Sequence, residues 1–168
     1  FSIEEGLQFT VSTDKALREI NVGSAQQHIF KAEKSFRFKT NDWNYKLTTT
    51  KKSSSIHAET FHLIKIEKGR VYGSIAASYF INDAPIQQLS FKCPSIFKHI
   101  EFIGGDVRRW YKGAGNIWHV ELNRKVIGDY NLAMSYHFRP DKIKSLEINN
   151  IECVDTATQS GYIVLSSD

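Results

Sequence analysis

The sequence predicts an all-β protein, an antiparallel two-sheet β-sandwich of the large or super-sandwich type, and three observations carry that prediction. Large apolar residues recur at every second position through most of residues 61–166, the spacing that puts one set of side chains on one face of a strand. Turn-forming clusters interrupt these runs at intervals of roughly 8–12 residues, as in sandwiches and barrels. No long helical segment alternates with the strands, which disfavours a parallel α/β sheet. An aromatic content of 12% fits the same class, because aromatic side chains pack well on pleated surfaces.

The first 60 residues are the least regular. Phe36 and Phe38, then Trp43, Tyr45 and Leu47, alternate like strands around an Asn41-Asp42 turn. Ser24 to Lys34 reads as one short helix near the N-terminus, with Ser24 as its cap and Gln27 three residues on. Thr48 to Ser55, all Thr, Lys or Ser, reads as a loop or hairpin tip. Phe61 to Glu67 then joins Arg70 to Ile81 through Lys68-Gly69. Val71, Gly73, Ile75, Ala77, Tyr79 and Ile81 share one face of the second strand, and Asn82-Asp83-Ala84-Pro85 is turn chemistry that ends it.

Leu89 and Phe91 mark a shorter strand closed by Pro94. Ile96 to Ile103 leads into Gly104-Gly105-Asp106, from which Val107 to Tyr111 returns. Trp118, Val120 and Leu122 alternate with Ile117, His119 and Glu121. Tyr130, Leu132, Met134, Tyr136 and Phe138 alternate with small or polar residues. Asn123-Arg124-Lys125 and Gly128-Asp129 bracket the connection, so the two runs read as a hairpin with its large residues in the core. Lys144 to Ile151 and Gly161 to Ser166 give the last two strands. One domain over residues 1–168 is the expected organisation.

The bulk properties narrow the function classes. Hydrophobic content of 41% and charged content of 24% are ordinary for a globular chain. Residues 1–70 carry 12 Lys and Arg against 8 Asp and Glu, and the remainder balances at 10 of each. A surplus spread over Lys31, Lys34, Arg37, Lys39, Lys46, Lys51 and Lys52 is too diffuse for a nucleic-acid footprint, so no nucleic-acid partner is expected. No apolar run approaches the ~18 residues of a membrane-spanning helix, so no membrane insertion by this segment is expected. Cys93 and Cys153 are not in a Cys-x-x-Cys pair and read as buried free thiols.

Catalytic motifs are scarce. His57-Ala58-Glu59 matches half of a zinc-deaminase signature, but Cys93-Pro94 has the wrong order and no second cysteine follows. Lys112-Gly113-Ala114-Gly115 lacks the helix that a phosphate loop needs. Asp106, Glu121 and Asp129 read as surface or turn acids rather than a paired-carboxylate site. The reading therefore leans away from an enzyme, with no catalytic residue and no cofactor. Arg108-Arg109-Trp110-Tyr111 is the stretch where basic and aromatic residues crowd together. With Trp43 these four form the candidate ligand-binding set, since exposed aromatics stack on sugar rings or anchor protein contacts. No metal site is expected. The less favoured alternative is a cluster of His119, Glu121 and His137, which a hairpin would bring near one another.

From Tyr79 to Tyr136 the order Asp83-Ala84-Pro85, Gly104-Gly105-Asp106-Val107-Arg108-Arg109-Trp110, Trp118-His119-Val120-Glu121-Leu122 and Gly128-Asp129-Tyr130-Asn131-Leu132 resembles a known group. Gly161-Tyr162-Ile163-Val164 extends the likeness. It is similar to the β-sandwich modules of very large uncharacterised envelope proteins of Planctomycetes- and Lentisphaerae-type bacteria. The resemblance implies a two-sheet building block used outside the cytoplasm, and it brings no functional residues. With Phe1 in place of Met, the chain reads as a segment of a longer protein or one that has lost a signal peptide. The functional expectation is a non-catalytic structural or interaction module of a larger extracytoplasmic protein, in the periplasm, in the envelope or secreted. Its partners would be other domains of the same polypeptide or another protein. The alternative is a carbohydrate-binding domain using exposed aromatics on a glycan, with a sugar-active enzyme behind it.

Overall fold

A computed structural model describes residues 6–24, 34–140 and 147–167. The chain divides into two compact units, one of residues 7–51 and one of Gly6 with residues 52 onward. The smaller unit is made of two ribbons. β1 (Leu7–Thr13) pairs antiparallel with β4 (Tyr45–Lys51), and β2 (Leu17–Ile20) with β3 (Ser35–Phe38). Asp14 holds the ribbon ends, one carboxylate oxygen accepting from the Asn44 N–H at 2.8 Å and the other from the Ala16 N–H at 3.0 Å. Thr48 to Lys51 are thus strand, and β3 and β4 pair with β2 and β1 rather than with each other around Asn41-Asp42. The expected helix over Ser24–Lys34 lies almost wholly outside the described residues. At its start Val22–Ser24 form a 3₁₀ turn.

The larger unit is the β-sandwich. It consists of β5 (Ser55–Glu67), β6 (Arg70–Lys92), β7 (Lys98–Ile103), β8 (Val107–Lys112), β9 (Ile117–Phe138), β10 (Glu152–Val154) and β11 (Thr158–Ser167). β5 and β6 form the expected hairpin, with Glu67 opposite Arg70 and both Lys68 and Gly69 at positive φ. β6 and β9 are far longer than the common strand of ~5–6 residues because each runs through two layers. The first layer has the order β11, β5, β6 (70–81), β9 (128–138), β7. In the second, β10 and β8 flank β6 (86–92) and β9 (117–126). β11 lies parallel to β5, the one departure among these pairs from the expected antiparallel pairing.

Two bulges turn the strands from layer to layer. Opposite β9, residues 82–85 of β6 stand against Ile127 alone, with Asp83 at φ 67 and Gly128 at φ 78. Residues 122–125 of β9 then stand against Gln87 alone, whose Nε2 donates to the Leu122 carbonyl at 3.2 Å. Extra residues on one strand bend it, and a positive φ there suits Gly and is tolerated by Asp. Pro85 sits within the first bulge, where its missing N–H costs no ladder bond.

These bends correct three expectations. Asn82–Pro85 does not end a strand. Trp118–Leu122 and Tyr130–Phe138 are not a hairpin but one continuous strand. Val107–Tyr111 does not return beside β7: the Gly104-Gly105-Asp106 turn carries the chain from one layer to the other. That turn is tied to the β9 bend, where the Asn123 N–H donates to the Asp106 carbonyl at 2.7 Å and Arg124 Nε to Asp106 Oδ1 at 2.9 Å. Glu147–Ile151, expected to be strand, is irregular.

The face assignments survive the change of topology. Val120, Leu122, Leu132, Met134 and Tyr136 are buried in the core, and Trp118 packs against it partly buried. Phe91 of the second layer meets two rings of the first, Tyr79 at 6.2 Å and Phe102 at 5.2 Å between centroids. Tyr136 stacks on Phe97 at 3.6 Å and lies over Gly73, where any side chain would overlap its ring. Both cysteines are buried free thiols. Tyr79 Oη donates to Cys153 Sγ at 3.3 Å, and Cys93 Sγ lies 3.9 Å from Met134 Sδ.

Leu132→Ala should destabilise the chain by about 2–5 kcal/mol, the usual cost of emptying a buried leucine site. His137→Ala, on the outer face, should stay within ~0.5 kcal/mol. Denaturant melts of the two variants check the face assignment. Burial pushes the Cys93 thiol up to about 12 and raises that of Cys153. Because the thiolate is the reactive form, neither cysteine should react with a thiol reagent in the native protein, and both should react after unfolding.

Candidate functional site

The Arg108–Tyr111 stretch is β8, an edge strand of the second layer, and alternation splits it between two faces. Trp110 lies opposite Val120 on the face of β8 toward Phe102, its ring 6.2 Å from that ring, yet like Tyr111 it is exposed. Arg109 and Tyr111 lie opposite Glu121 and His119 on the outer face. Arg108 falls at the register shift after Val107. Trp43 belongs to the smaller unit, where its ring lies within 16° of the plane of Tyr45 at 6.0 Å and 5.8 Å from Phe38. All three of these rings are exposed.

On the outer face of the second layer the side chains satisfy one another in a ladder. Arg109 donates to both oxygens of Glu121, Nε at 2.7 Å and Nη2 at 2.8 Å. That hydrogen-bonded pairing holds the Glu121 carboxyl below the ordinary carboxylate range. The guanidinium sits 5.7 Å over the Tyr111 ring, and Tyr111 lies 5.2 Å from His119. Nδ1 of His119 is 3.0 Å from Ser90 Oγ and 3.1 Å from Gln88 Nε2. Arg109 already spends its fork on a carboxylate, so this face suits recognition by shape and stacking better than capture of a free anion. His137 is not part of it. It lies near the opposite end of β9, in the other layer, with its ring stacked on His99 at 4.2 Å. The structure therefore does not bring His119, Glu121 and His137 together, because the strand that carries them does not fold back. Among the described residues no three His, Cys, Asp or Glu converge.

The outer face of the first layer has a different character. Reading across the five strands, Tyr162, Phe61, Ala76, Ala133 and Ile103 stand opposite one another in a single row. Tyr162 (66%), Phe61 (46%) and Ile103 (65%) are exposed on either side of the two small alanines. Val164 and Leu63 add exposed apolar surface in the row that continues through Ser74 and Ser135. Sequence reading missed this face. Its signal was present: Phe61 and Leu63 hold large apolar side chains at the positions that alternate with the buried Ile56, Ala58, His62 and Ile64.

A groove of about 320 Å³ runs along β11, with His62 and Ile75 among its lining residues. His62 is buried and shares a hydrogen bond with Tyr136 Oη at 2.8 Å. Burial lowers the His62 pKa. Gln159, also lining the groove, is committed to structure: Nε2 donates to the Ile151 carbonyl at 2.9 Å, and Oε1 accepts from the Cys153 N–H at 2.8 Å.

No family model and no curated protein matches the chain. Among solved structures it is similar to a point variant of an M1 zinc metallopeptidase from Deinococcus radiodurans, at 16% identity and a TM-score of 0.37, over 58% of this chain and 23% of that one. It is likewise similar to the M1 zinc metallopeptidase from the same organism without a named substitution, at 15% identity and a TM-score of 0.37, over 52% and 21%. The matched part spans less than a quarter of either peptidase chain.

His62 makes stability depend on pH. Its folded-state pKa lies below the ordinary 6.5, so the unfolded chain binds the extra proton in the window between the two values. Stability should therefore fall as the pH drops through that window from 6.5 downward, and His62→Phe should remove this part of the slope. Urea melts of both proteins between about pH 8 and about pH 5 measure it.

Proposed function

We propose that the chain is a non-catalytic interaction module of a larger extracytoplasmic protein, of the large-sandwich kind. Its working surface is the outer face of the first layer, and its partner is another domain of the same polypeptide or a separate protein. The observation that carries this reading is the row Tyr162–Phe61–Ala76–Ala133–Ile103, apolar from edge to edge, exposed at four of its five positions and half-buried at Ala133. Contiguous exposed apolar surface marks contact sites, and a floor of alanines lets a partner approach closely. The resemblance of the Tyr79–Tyr136 region to envelope-protein modules supports the same reading. Phe61→Lys combined with Ile103→Lys should abolish co-elution of this chain with flanking domains of its own polypeptide and leave its melting curve unchanged. Co-elution that survives both lysines overturns the assignment.

A second reading is favoured by a separate observation, the exposed group of Phe38, Trp43 and Tyr45 with the last two rings nearly parallel. Exposed aromatic rings are the usual stacking surface for pyranose sugars, so this group would take a glycan. On a glycan array the chain should bind and Trp43→Ala should lose the signal. An array without hits, or one that Trp43→Ala leaves unchanged, removes this reading.

A further inference from the structure

We propose that the edge of β11 away from β5, with which no described strand pairs, pairs with β11 of a second copy of this chain, antiparallel and about a two-fold axis normal to the sheet. This goes beyond the face described above and does not depend on it. A strand at a sheet edge presents a row of unpaired backbone N–H and C=O groups, and proteins blunt such edges with charge, proline, bulges or brevity. Three of the four edges among the described strands of the sandwich are blunted in these ways. β7 carries Lys98 and Glu101, a register shift between them, and His99 at φ 50. β8 carries Arg108, Arg109 and Lys112 and has its own register shift. β10 pairs over Glu152–Val154 alone. β11 has none of these devices: Thr158–Ser167 contains no charge and no proline, and follows β5 in unbroken register.

The side chains decide what can cover this edge. Ile163 (64%) and Leu165 (70%) are exposed on the side of His62 and Ile64, while Tyr162 and Val164 are exposed on the other. A partner strand must therefore be uncharged and apolar on both faces, and β11 itself has that chemistry. A two-fold axis normal to a sheet keeps every side chain on its own face. Residues directly opposite must then share parity, and one residue must meet its own copy. With Val164 on the axis, Ile163 lies opposite Leu165 of the second copy and Leu165 opposite its Ile163. Tyr162 meets Ser166, and no like charges face each other. The main-chain bonds supply affinity and the apolar pairs supply register, as in strand addition generally.

Sedimentation velocity of the full chain should show a dimer whose fraction rises with concentration. Ile163→Lys combined with Leu165→Lys should sediment as a monomer throughout while keeping the parent's circular dichroism and melting curve. Ile103→Lys, equally exposed on the opposite edge, and Phe61→Lys, on the face, should both remain dimeric, which separates failure here from failure of the face. If the two lysines unfold the chain, Val164→Cys decides instead: under oxidation it should cross-link to its own copy, and Ile103→Cys should not. A parent that stays monomeric, a dimer that tolerates both lysines, or a Val164→Cys that cross-links no faster than Ile103→Cys overturns the proposal.

Discussion

The sandwich depends on one constraint: β6 and β9 must bend together without losing their alternation. Each strand takes its extra residues where the other has one, 82–85 against Ile127 and 122–125 against Gln87. Val120, Leu122 and Val126 consequently stay inside with the even positions from Tyr130 to Phe138, while Arg124 in the bulge is exposed. The odd positions of β6 do so from Val71 to Ile81 and again at Leu89 and Phe91. A bend that changed parity would expose one whole set of large apolar side chains, each worth roughly 1.5–3 kcal/mol when buried. The hydrogen bond from Gln87 to the Leu122 carbonyl and the ties from Asn123 and Arg124 to Asp106 occupy polar groups that the bend takes out of the ladder.

Because the same two strands build both layers, the layers are held by covalent continuity as well as by packing. Phe91 sits where this matters most, meeting Tyr79 and Phe102 from the facing layer. Tyr79 in turn reaches Cys153 on β10, so an edge strand of three residues is anchored through the core. The thiols serve here as small hydrophobes. Their raised pKa values follow from the same burial that makes them useful for packing.

The two outer faces answer to different physics. On the second layer Arg109, Glu121, Tyr111, His119 and Ser90 satisfy one another, leaving a polar surface at ease in water. On the first layer the exposed Tyr162, Phe61, Leu63, Val164 and Ile103 flank alanine and serine. Charge is distributed as unevenly. Residues 7–51, the smaller unit, hold 8 Lys and Arg against 4 Asp and Glu, which accounts for the whole net charge of +4. The sandwich is thus close to neutral, a condition that favours association through apolar surface over electrostatic steering.

Alternation determined the all-β class, the inward set Val71–Ile81 and the inward sets Val120–Leu122 and Tyr130–Phe138, while the apolar character of unpaired cysteine pointed to the burial of Cys93 and Cys153. It also determined that Arg109 and Tyr111 face away from Trp110. Alternation could not say how the strands connect. A hairpin between Leu122 and Tyr130 and one bent strand through them put the same residues inside, because both keep a period of two and both tolerate Asn, Gly and Asp at the change of direction. What separates them lies far away in sequence: Gln88 and Ser78 on β6 both face β9, and only a strand that continues through its bend can pair with both. The tertiary structure alone decided that His119 and His137 lie in different layers. It likewise decided that Phe61 shares a row with Tyr162 and Ile103, and that β11 stands at the end of the order of described strands. Local pattern sets which way a side chain points, whereas its neighbours across the sheet are set by pairings between residues that no local pattern connects.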